Sequence, residues 1–437
     1  MENIVLPPKK SFLYRLGKSP LFIPYHRLFI LVSVVNIIIF IKATTTWNWF
    51  HKNGIAIDNI ALVVLINFAI GILIRQQYII NLLFTIATSV PKNWPLFIRR
   101  IAAKVYHFGG IHSASTTMGT LWYLVFVASL YYHYTNSLPG VSTEIMVIPV
   151  FILALLFIIV LMALPKMRAK YHNQFELTHR LGGWTVLLLF WVQMFLFIGL
   201  KNEQVSIVYS VDFWILMTIT ISVVLPWLRL KKVAIDIVKP SNHVALTSFN
   251  YGVTPFAGSS TALSTRPLLE WHSFANVPSP KKDGFRLTIS RAGDWTGKFI
   301  SEKPEKIWVK GIPTAGVGNV DKLFNKVIWV ATGSGIGPCL PHLLLNETPS
   351  VLVWATRNPE KTYGTNLVNE IKKVQPNAII WDTDADGKPD LVKLAYQAYS
   401  DFNAEAVICI SNQSLTKKVV HNMEYRGIPA YGAIWDS

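Results

Sequence analysis

Asn325–Leu345 reads NKVIWVATGSGIGPCLPHLLL. Val327 to Ala331 is a short apolar run of the kind that forms a buried strand, and a helix is expected from Pro338 onward. Between them lies a turn made of Thr332, Gly333, Ser334, Gly335 and Gly337. Glycines there let backbone N–H groups and the positive end of a helix approach an anion, most commonly a nucleotide phosphate. Glycines also end strands for structural reasons alone, so the surrounding pattern decides. Apolar strands follow at Val351–Thr356, Ala378–Trp381 and Ala406–Ile410, separated by helical segments at Lys361–Val374 and Leu391–Tyr399, with a last helix at Leu415–Arg426. Strands alternating with helices predict an α/β domain with a doubly wound parallel sheet, and its ligand belongs at the C-terminal ends of the strands.

Working outward, the chain of 437 residues is 51% hydrophobic and only 15% charged, too apolar for an ordinary soluble protein. Runs long enough to span a bilayer lie near Tyr25–Ile41, Ile57–Ile74, His107–Tyr132, Glu144–Leu164, Phe175–Leu200 and Val205–Leu228. A membrane α-helical bundle of six spans is expected. Lys and Arg crowd one set of span ends, among them Lys9, Lys10, Arg15, Arg75, Arg99, Arg100, Lys104, Lys166, Arg168, Arg229 and Lys231, whereas the other set has Lys42, Lys52 and Lys201. That asymmetry places both termini and everything after Arg229 in the cytoplasm, at the cytoplasmic membrane. It also accounts for the net charge of +17 without nucleic acid as a partner. Leu96–Val105, basic on one face and apolar on the other, suits a helix lying on the membrane surface, or equally a simple connecting loop. The first apolar run starts late and reaches spanning length, so no cleavable leader is expected. Cys339 and Cys409 both fall in the cytoplasmic half and do not read as a disulfide framework.

His107 and His112 open the third run and His172 and His179 the fifth, which puts His112 and His179 at similar depth. They read either as histidines wetted by headgroups or as an axial pair for one b-type haem. After Arg229 come short alternating strands, Val233–Val238, His243–Thr247, Thr261–Leu263, Phe285–Ser290 and Lys306–Val309, the pattern of a small antiparallel β-barrel. Within it, Glu270-Trp271-His272-Ser273-Phe274 sits at a strand end and offers an aromatic or imidazole edge to a flavin ring. Gly293-Asp294-Trp295-Thr296-Gly297-Lys298 opens a helix and offers a hydroxyl, backbone N–H groups and a lysine to a pyrophosphate, although alone each of these two stretches also reads as an ordinary strand end or helix cap.

Barrel first and nucleotide sheet second is the order of the ferredoxin-NADP reductase superfamily, and the cytoplasmic half resembles the ferric reductases and NADPH oxidases within it. EWHSF resembles their FAD motif His-Pro-Phe-Thr, with Ser273 in place of proline. GDWT (Gly293–Thr296) is similar to their pyrophosphate turn, GSGIG (Gly333–Gly337) to their nicotinamide-nucleotide turn, and GKPD (Gly387–Asp390) to their Gly-Arg-Pro turn. WATR ends on Arg357 where adenosine and its phosphate are held, and Cys409 takes the place of the Cys of Cys-Gly-Pro, here followed by Ile410 and Ser411. The resemblance therefore implies FAD on Trp271, His272, Ser273, Phe274, Trp295, Thr296, Gly297 and Lys298. It implies NAD(P)H on Thr332, Gly333, Ser334, Gly335, Gly337, Arg357 and Lys388, with Arg357 favouring NADPH. Cys409 and Trp435, the latter stacking on the flavin, would flank the reacting atoms. HRLGG around His179 resembles the fifth span of these families, whose second, deeper haem needs histidines where Val125 and Val192 stand. EWHSF with a terminal IWDS most resembles the TmpA-type membrane flavoproteins.

The expected organisation is a lead-in (1–24), six spans (25–232), an FAD-binding barrel (233–323) and an NAD(P)-binding α/β domain (324–437). The expected activity is an NAD(P)H-dependent FAD oxidoreductase, with NAD(P)H, membrane lipid and a membrane-proximal electron acceptor as partners. Two alternatives stay open, a transmembrane ferric or oxygen reductase using haem and a nucleotide-binding membrane sensor or scaffold without turnover.

Overall fold

The computed structural model describes residues 4–52, 54–138, 143–200, 207–278 and 283–433. These form two compact units. One comprises Pro24–Gln76 and Phe108–Leu228; the other comprises the described parts of Met1–Ile23, Gln77–His107 and Arg229–Trp435.

The first unit is helical. Each apolar run of the sequence becomes a helix: Pro24–Thr45, Ile57–Leu73, Gly109–Thr135, Thr143–Ala163, His172–Leu200 and Val211–Leu228. Among the described residues four of them, Pro24–Thr45, Ile145–Ala163, His172–Gly199 and Val211–Leu228, are long and apolar enough to cross a membrane. A fifth is reached only by joining Ile57–Leu73 to Gln77–Thr88. Gly109–Thr135 falls outside the set because its first half, GGIHSASTTMGT, is polar. The count by length and apolarity thus stands below the six expected. Phe68, Trp122, Tyr123, Phe126 and Phe190 fill the core of this unit. Inside it Asn67 donates to the Asn36 side-chain oxygen at 2.9 Å, and the Trp122 indole donates to the same atom at 3.0 Å. Three helices are thereby joined by polar groups buried in apolar surroundings.

The second unit carries two kinds of sheet. Among the described residues, 230–278 and 283–315 form two antiparallel sheets in place of the single closed ladder expected of a barrel. One runs Thr314–Ala315, Ser259–Ser264, Lys306–Lys310, Leu230–Ala234, with His272–Ala275 also paired to Ser259–Ser264; the other runs Asp236–Val238, Val244–Phe249, Phe285–Ser290, Val277–Pro278. Val233, Phe249, Leu263, Leu287, Phe299 and Ile307 close a shared core, as period-two alternation requires.

The predicted parallel sheet is present, with one strand more. Its spatial order is Ile379–Asp382, Ser350–Thr356, Val327–Thr332, Ala406–Ile410, Ala430–Gly432, all parallel. In chain order that is 3-2-1-4-5, so the direction of winding reverses between Val327–Thr332 and Ala406–Ile410. The helix expected over Lys361–Val374 is two, Pro359–Tyr363 and Thr365–Val374, broken where Gly364 takes a φ of 89°.

Leu96–Val105 turns one of its basic residues inward. Its helix, Leu96–Ala102, buries Arg99, whose guanidinium donates to both Glu405 oxygens at 2.6 and 3.2 Å and to the Leu323 carbonyl at 3.0 Å. Neighbouring Gln77–Thr88 uses Asn81 as a strand would use its backbone. The Asn81 side chain donates to Pro313 O at 2.9 Å and accepts from Ala315 N–H at 2.8 Å, closing the edge of the first antiparallel sheet.

Candidate functional site

The GSGIG turn sits at the C-terminal end of the central parallel strand, at the reversal of winding. Gly333 takes a φ of +48°, and its carbonyl accepts the buried Trp354 indole N–H at 3.0 Å from the neighbouring strand. Gly335 is there for a different reason. A Cβ on it would lie 2.0 Å from the Ile410 carbonyl oxygen, so only glycine lets the turn pass the end of the adjacent strand. Ser334 is exposed, and the helix begins at Ile336, two residues before the predicted start. Thr332 and Ser411 touch hydroxyl to hydroxyl across the reversal. Ser411 was not singled out from sequence, because it carries no motif signal other than its place after a strand.

Cys409 is a correction. It was expected against the flavin, but it lies fully buried in the sheet core with Val330, Val353 and Val407, and burial pushes its thiol up to about 12. Alternation explains this: along a strand successive side chains change face, and Cys409 points into the layer that Val407 also faces. Trp435 lies outside the described residues.

On the antiparallel side the two motifs meet. His272 stacks on Trp295 with ring centroids 4.3 Å apart at 27°, and Phe274 and Phe299 stack on the same indole at 5.9 and 5.3 Å. Trp271 turns away, donating to the Pro267 carbonyl at 2.7 Å beneath the Lys310 ammonium. Ser273 is exposed. The Thr296 hydroxyl, open to reading as a phosphate contact or as an ordinary helix cap, accepts from the N–H groups of Ala292 and Gly293 at 2.9 and 3.1 Å and so caps its own helix.

An open cleft of roughly 600 Å³ lies over the start of that helix, lined by His243, Arg291, Gly293, Asp294, Gly297, Lys298 and Ser301. Arg291, which sequence reading missed, is fixed by donation to Asn242 O at 3.0 Å and to the Ser301 hydroxyl at 3.3 Å. Its signal was available as a cation directly before the GDWT turn. The arginine, Lys298 and the helix start make a cationic seat that suits a pyrophosphate. The helix Ile336–Leu345 packs against the strands His272–Ala275, Val277–Pro278 and Phe285–Ser290. The nucleotide turn and the aromatic stack therefore belong to one assembly within this unit.

At the outer end of the parallel sheet Arg357 is exposed, with Asp384 at 4.0 Å. The Asp382 carboxylate accepts from the N–H groups of Asn358 and Asp384 at 2.8 and 2.9 Å, which holds its pKa below the usual range. Lys388 is exposed beyond Gly387, whose φ is +71°. In the helical unit the His112 and His179 rings lie 6.2 Å apart at 72°, and His112 Nδ1 is held by the Gly71 carbonyl at 2.7 Å. The levels of Val125 and Val192 are filled instead, by Tyr123 bonded to Gln193 and by Phe126, Phe190 and Phe197.

Comparison with known proteins adds the following. Residues 317–437 match the family described as the C-terminal domain of adenylate-forming reductase 03009. Its similar proteins are named adenylate-forming reductases. Adenylate-forming reductase 06235 of Coprinopsis cinerea is 44% identical over 444 residues, covering 100% of this chain and 42% of that protein. Adenylate-forming reductase 03009 of the same fungus is 45% identical over 425 residues, covering 96% of this chain and 41% of that one. The chain thus spans about two-fifths of the length of these relatives. Among solved structures, a ferredoxin NADP+ reductase from Neisseria gonorrhoeae with bound FAD and NADP aligns with 47% of this chain and 98% of its own at a TM-score of 0.37 and 14% identity. Ferredoxin-NADP+ reductase from Plasmodium falciparum aligns with 47% and 96% at 0.38 and 14%.

Proposed function

We propose that the chain is a membrane-anchored flavin reductase that takes electrons from NAD(P)H. The observation that carries the reading is the 3-2-1-4-5 sheet with a glycine turn at its reversal point, the place where such sheets bind nucleotides. Ser334 and the helix start at Ile336 would bind the nicotinamide nucleotide's phosphates, with Arg357 and Lys388 toward its adenosine end. FAD, when bound, supplies the chemistry of accepting two electrons and releasing them singly or together. The chain's residues suit it: Arg291, Lys298 and the helix start hold an anion, while His272, Phe274 and Trp295 present a preformed aromatic wall. Cys409, buried in the sheet core, is proposed to order the sheet, and Trp435 is proposed to stack on the flavin.

The relatives couple, by name, adenylate formation to a reduction, and the segment they share with this chain is proposed to be the reducing part. The helices of the first unit are proposed as the membrane anchor, with both termini and the reductase unit cytoplasmic. Incubating detergent-purified protein with NADPH or NADH and ferricyanide, after extracting and identifying its flavin, tests the proposal. Flavin in near one-to-one ratio with turnover supports it, and its absence together with no nucleotide oxidation overturns it.

A second reading concerns haem. Two metal–nitrogen bonds of about 2 Å each plus the ring radii come close to the 6.2 Å separation of His112 and His179. Anchoring Nδ1 of His112 on Gly71 leaves Nε2 as the ligand atom. These two residues would hold one b-type haem, and the aromatic filling at Val125 and Val192 leaves no second pair. A Soret band that disappears in His112→Ala/His179→Ala is expected; a band that persists removes the assignment.

A further inference from the structure

Two segments of the reductase unit, residues 4–23 and 77–107, have their polarity turned inside out. Arg99 is 5% exposed, whereas Phe97 and Ile101 on the same short helix are 64% and 71% exposed. Gln77–Thr88 buries Ile80 and Phe84 against the unit, yet its opposite face, Tyr78, Leu82 and Ile86, is apolar as well and open. Phe12 and Leu13 add to the same class of exposed side chain, on the helix whose Tyr14 hydroxyl receives the Arg100 guanidinium at 3.5 Å. Cations face inward to Glu405 and Glu424 while large apolar groups face outward, the reverse of what water selects.

We propose that this face of the reductase unit lies in the interfacial layer of a bilayer bearing anionic headgroups, as a platform separate from the spanning helices. The proposal rests on the membrane reading above. Charge selects lipid over a second protein surface. Residues 4–23 and 77–107 contain no Asp or Glu, against Lys9, Lys10, Arg15, Lys92 and Arg100 in addition to the three cations used internally. Of these, Lys9 and Lys10 are exposed, while Lys92 and Arg100 are half-buried on the Thr348 and Tyr14 hydroxyls, and a segment of this charge beside exposed apolar groups matches a headgroup layer over acyl chains. Chain connectivity agrees, since residues 77–107 run directly between the helices ending at Leu73 and starting at Gly109. Such a platform would hold the cofactor sheets against the membrane face from which an acceptor is reached.

The test uses the full chain in nanodiscs of phosphatidylcholine with a minor share of phosphatidylserine. Single cysteines at Ile86→Cys, Phe97→Cys and Ile101→Cys carry an environment-sensitive fluorophore; native Cys339 and Cys409 are buried and stay unlabelled. Leu188→Cys, on an exposed position of His172–Leu200, and Asp401→Cys, on the parallel-sheet domain, serve as references. Nitroxide-bearing lipid is expected to quench the first three several-fold more than Asp401→Cys, and iodide the reverse. Quenching of the three by iodide alone, with Leu188→Cys quenched by lipid, overturns the platform and leaves the membrane reading standing. If neither quencher reaches them, a protein surface covers the face and the platform is equally overturned. If Leu188→Cys is also untouched by lipid, the membrane reading falls with it.

Discussion

Three residues carry opposite lessons about what a motif means. Gly335 is fixed by sterics: the Ile410 carbonyl oxygen would lie 2.0 Å from an added Cβ. Gly335→Ala is expected to cost about 1–3 kcal/mol or more and to abolish the thermal shift that the proposed site would give the parent protein with NAD(P)H. Cys409, by contrast, fits its motif by position but not by exposure. With the thiol pushed up to about 12 by burial, it should resist maleimide in the native protein and react only on unfolding, and Cys409→Ala should retain turnover. Arg357 was read as a reason to prefer NADPH, but a sequence does not reveal that Asp384 stands beside it and that Asp382 is kept ionised by backbone N–H groups. A 2′-phosphate would enter a site whose positive charge is already partly answered. Because the pair is exposed, its weight is about 0.2–1 kcal/mol. Asp384→Asn should therefore raise the kcat/KM ratio of NADPH to NADH by up to about fivefold, read in parallel assays with both nucleotides.

At the scale of elements, the last turn of Gln413–Glu424 and the final strand are held by a buried carboxylate. Glu424 takes Lys18 at 2.7 Å, Lys104 at 3.3 Å and the Ala430 N–H at 3.3 Å, and Lys104 also donates to the Ala430 carbonyl at 3.2 Å. Burial alone would raise the Glu424 pKa, but the two ammonium groups and the N–H donor outweigh it and pull the carboxyl down to about 2. Because the folded pKa lies below the unfolded one, this stabilisation is complete above the ordinary carboxylate range. It is lost as pH falls from about 4.5 toward 2. Burial also lowers Lys104, so the pair weakens at the alkaline end before an exposed lysine would lose its proton. Glu424→Gln leaves two cations short of a partner and is expected to cost about 3–5 kcal/mol at neutral pH. It should also flatten the melting temperature between pH 5 and 3, measured by thermal melts across that range. None of this was legible, because neither lysine lies near Glu424 in sequence. The strands themselves were legible: a period-two pattern placed Phe285–Ser290 and a continuous apolar run placed Ala406–Ile410, both with the bounds observed.

For the whole molecule, what the sequence concealed was which distant segments fold together. Hydropathy divides the chain at Arg229, and a linear reading assigns residues 77–107 to the loops of a helical bundle. The structure instead packs them, with residues 4–23, into the unit that carries the two antiparallel sheets and the parallel one. Periodicity cannot show this, since docking uses single side chains: Asn81 on an edge strand, Arg99 on Glu405, Lys104 and Lys18 on Glu424. The consequence concerns how the redox reading can be tested. A fragment starting at Arg229 keeps every cofactor motif but loses the partner of a carboxylate at two places and uncovers the Thr314–Ala315 edge. It should melt well below the full chain or aggregate. In the intact protein Arg99→Met alone should destabilise by about 3–5 kcal/mol, whereas Arg99→Met/Glu405→Leu should recover much of that loss, because the cost comes from a stranded charge. Thermal melts of the parent, the two single variants and the double variant decide it: additive losses would mean that Arg99 and Glu405 are not coupled and that the connector is a passive loop. Flavin content measured on the same samples separates a failure of this docking from a failure of the redox reading, since an intact connector with no flavin would count against the latter alone.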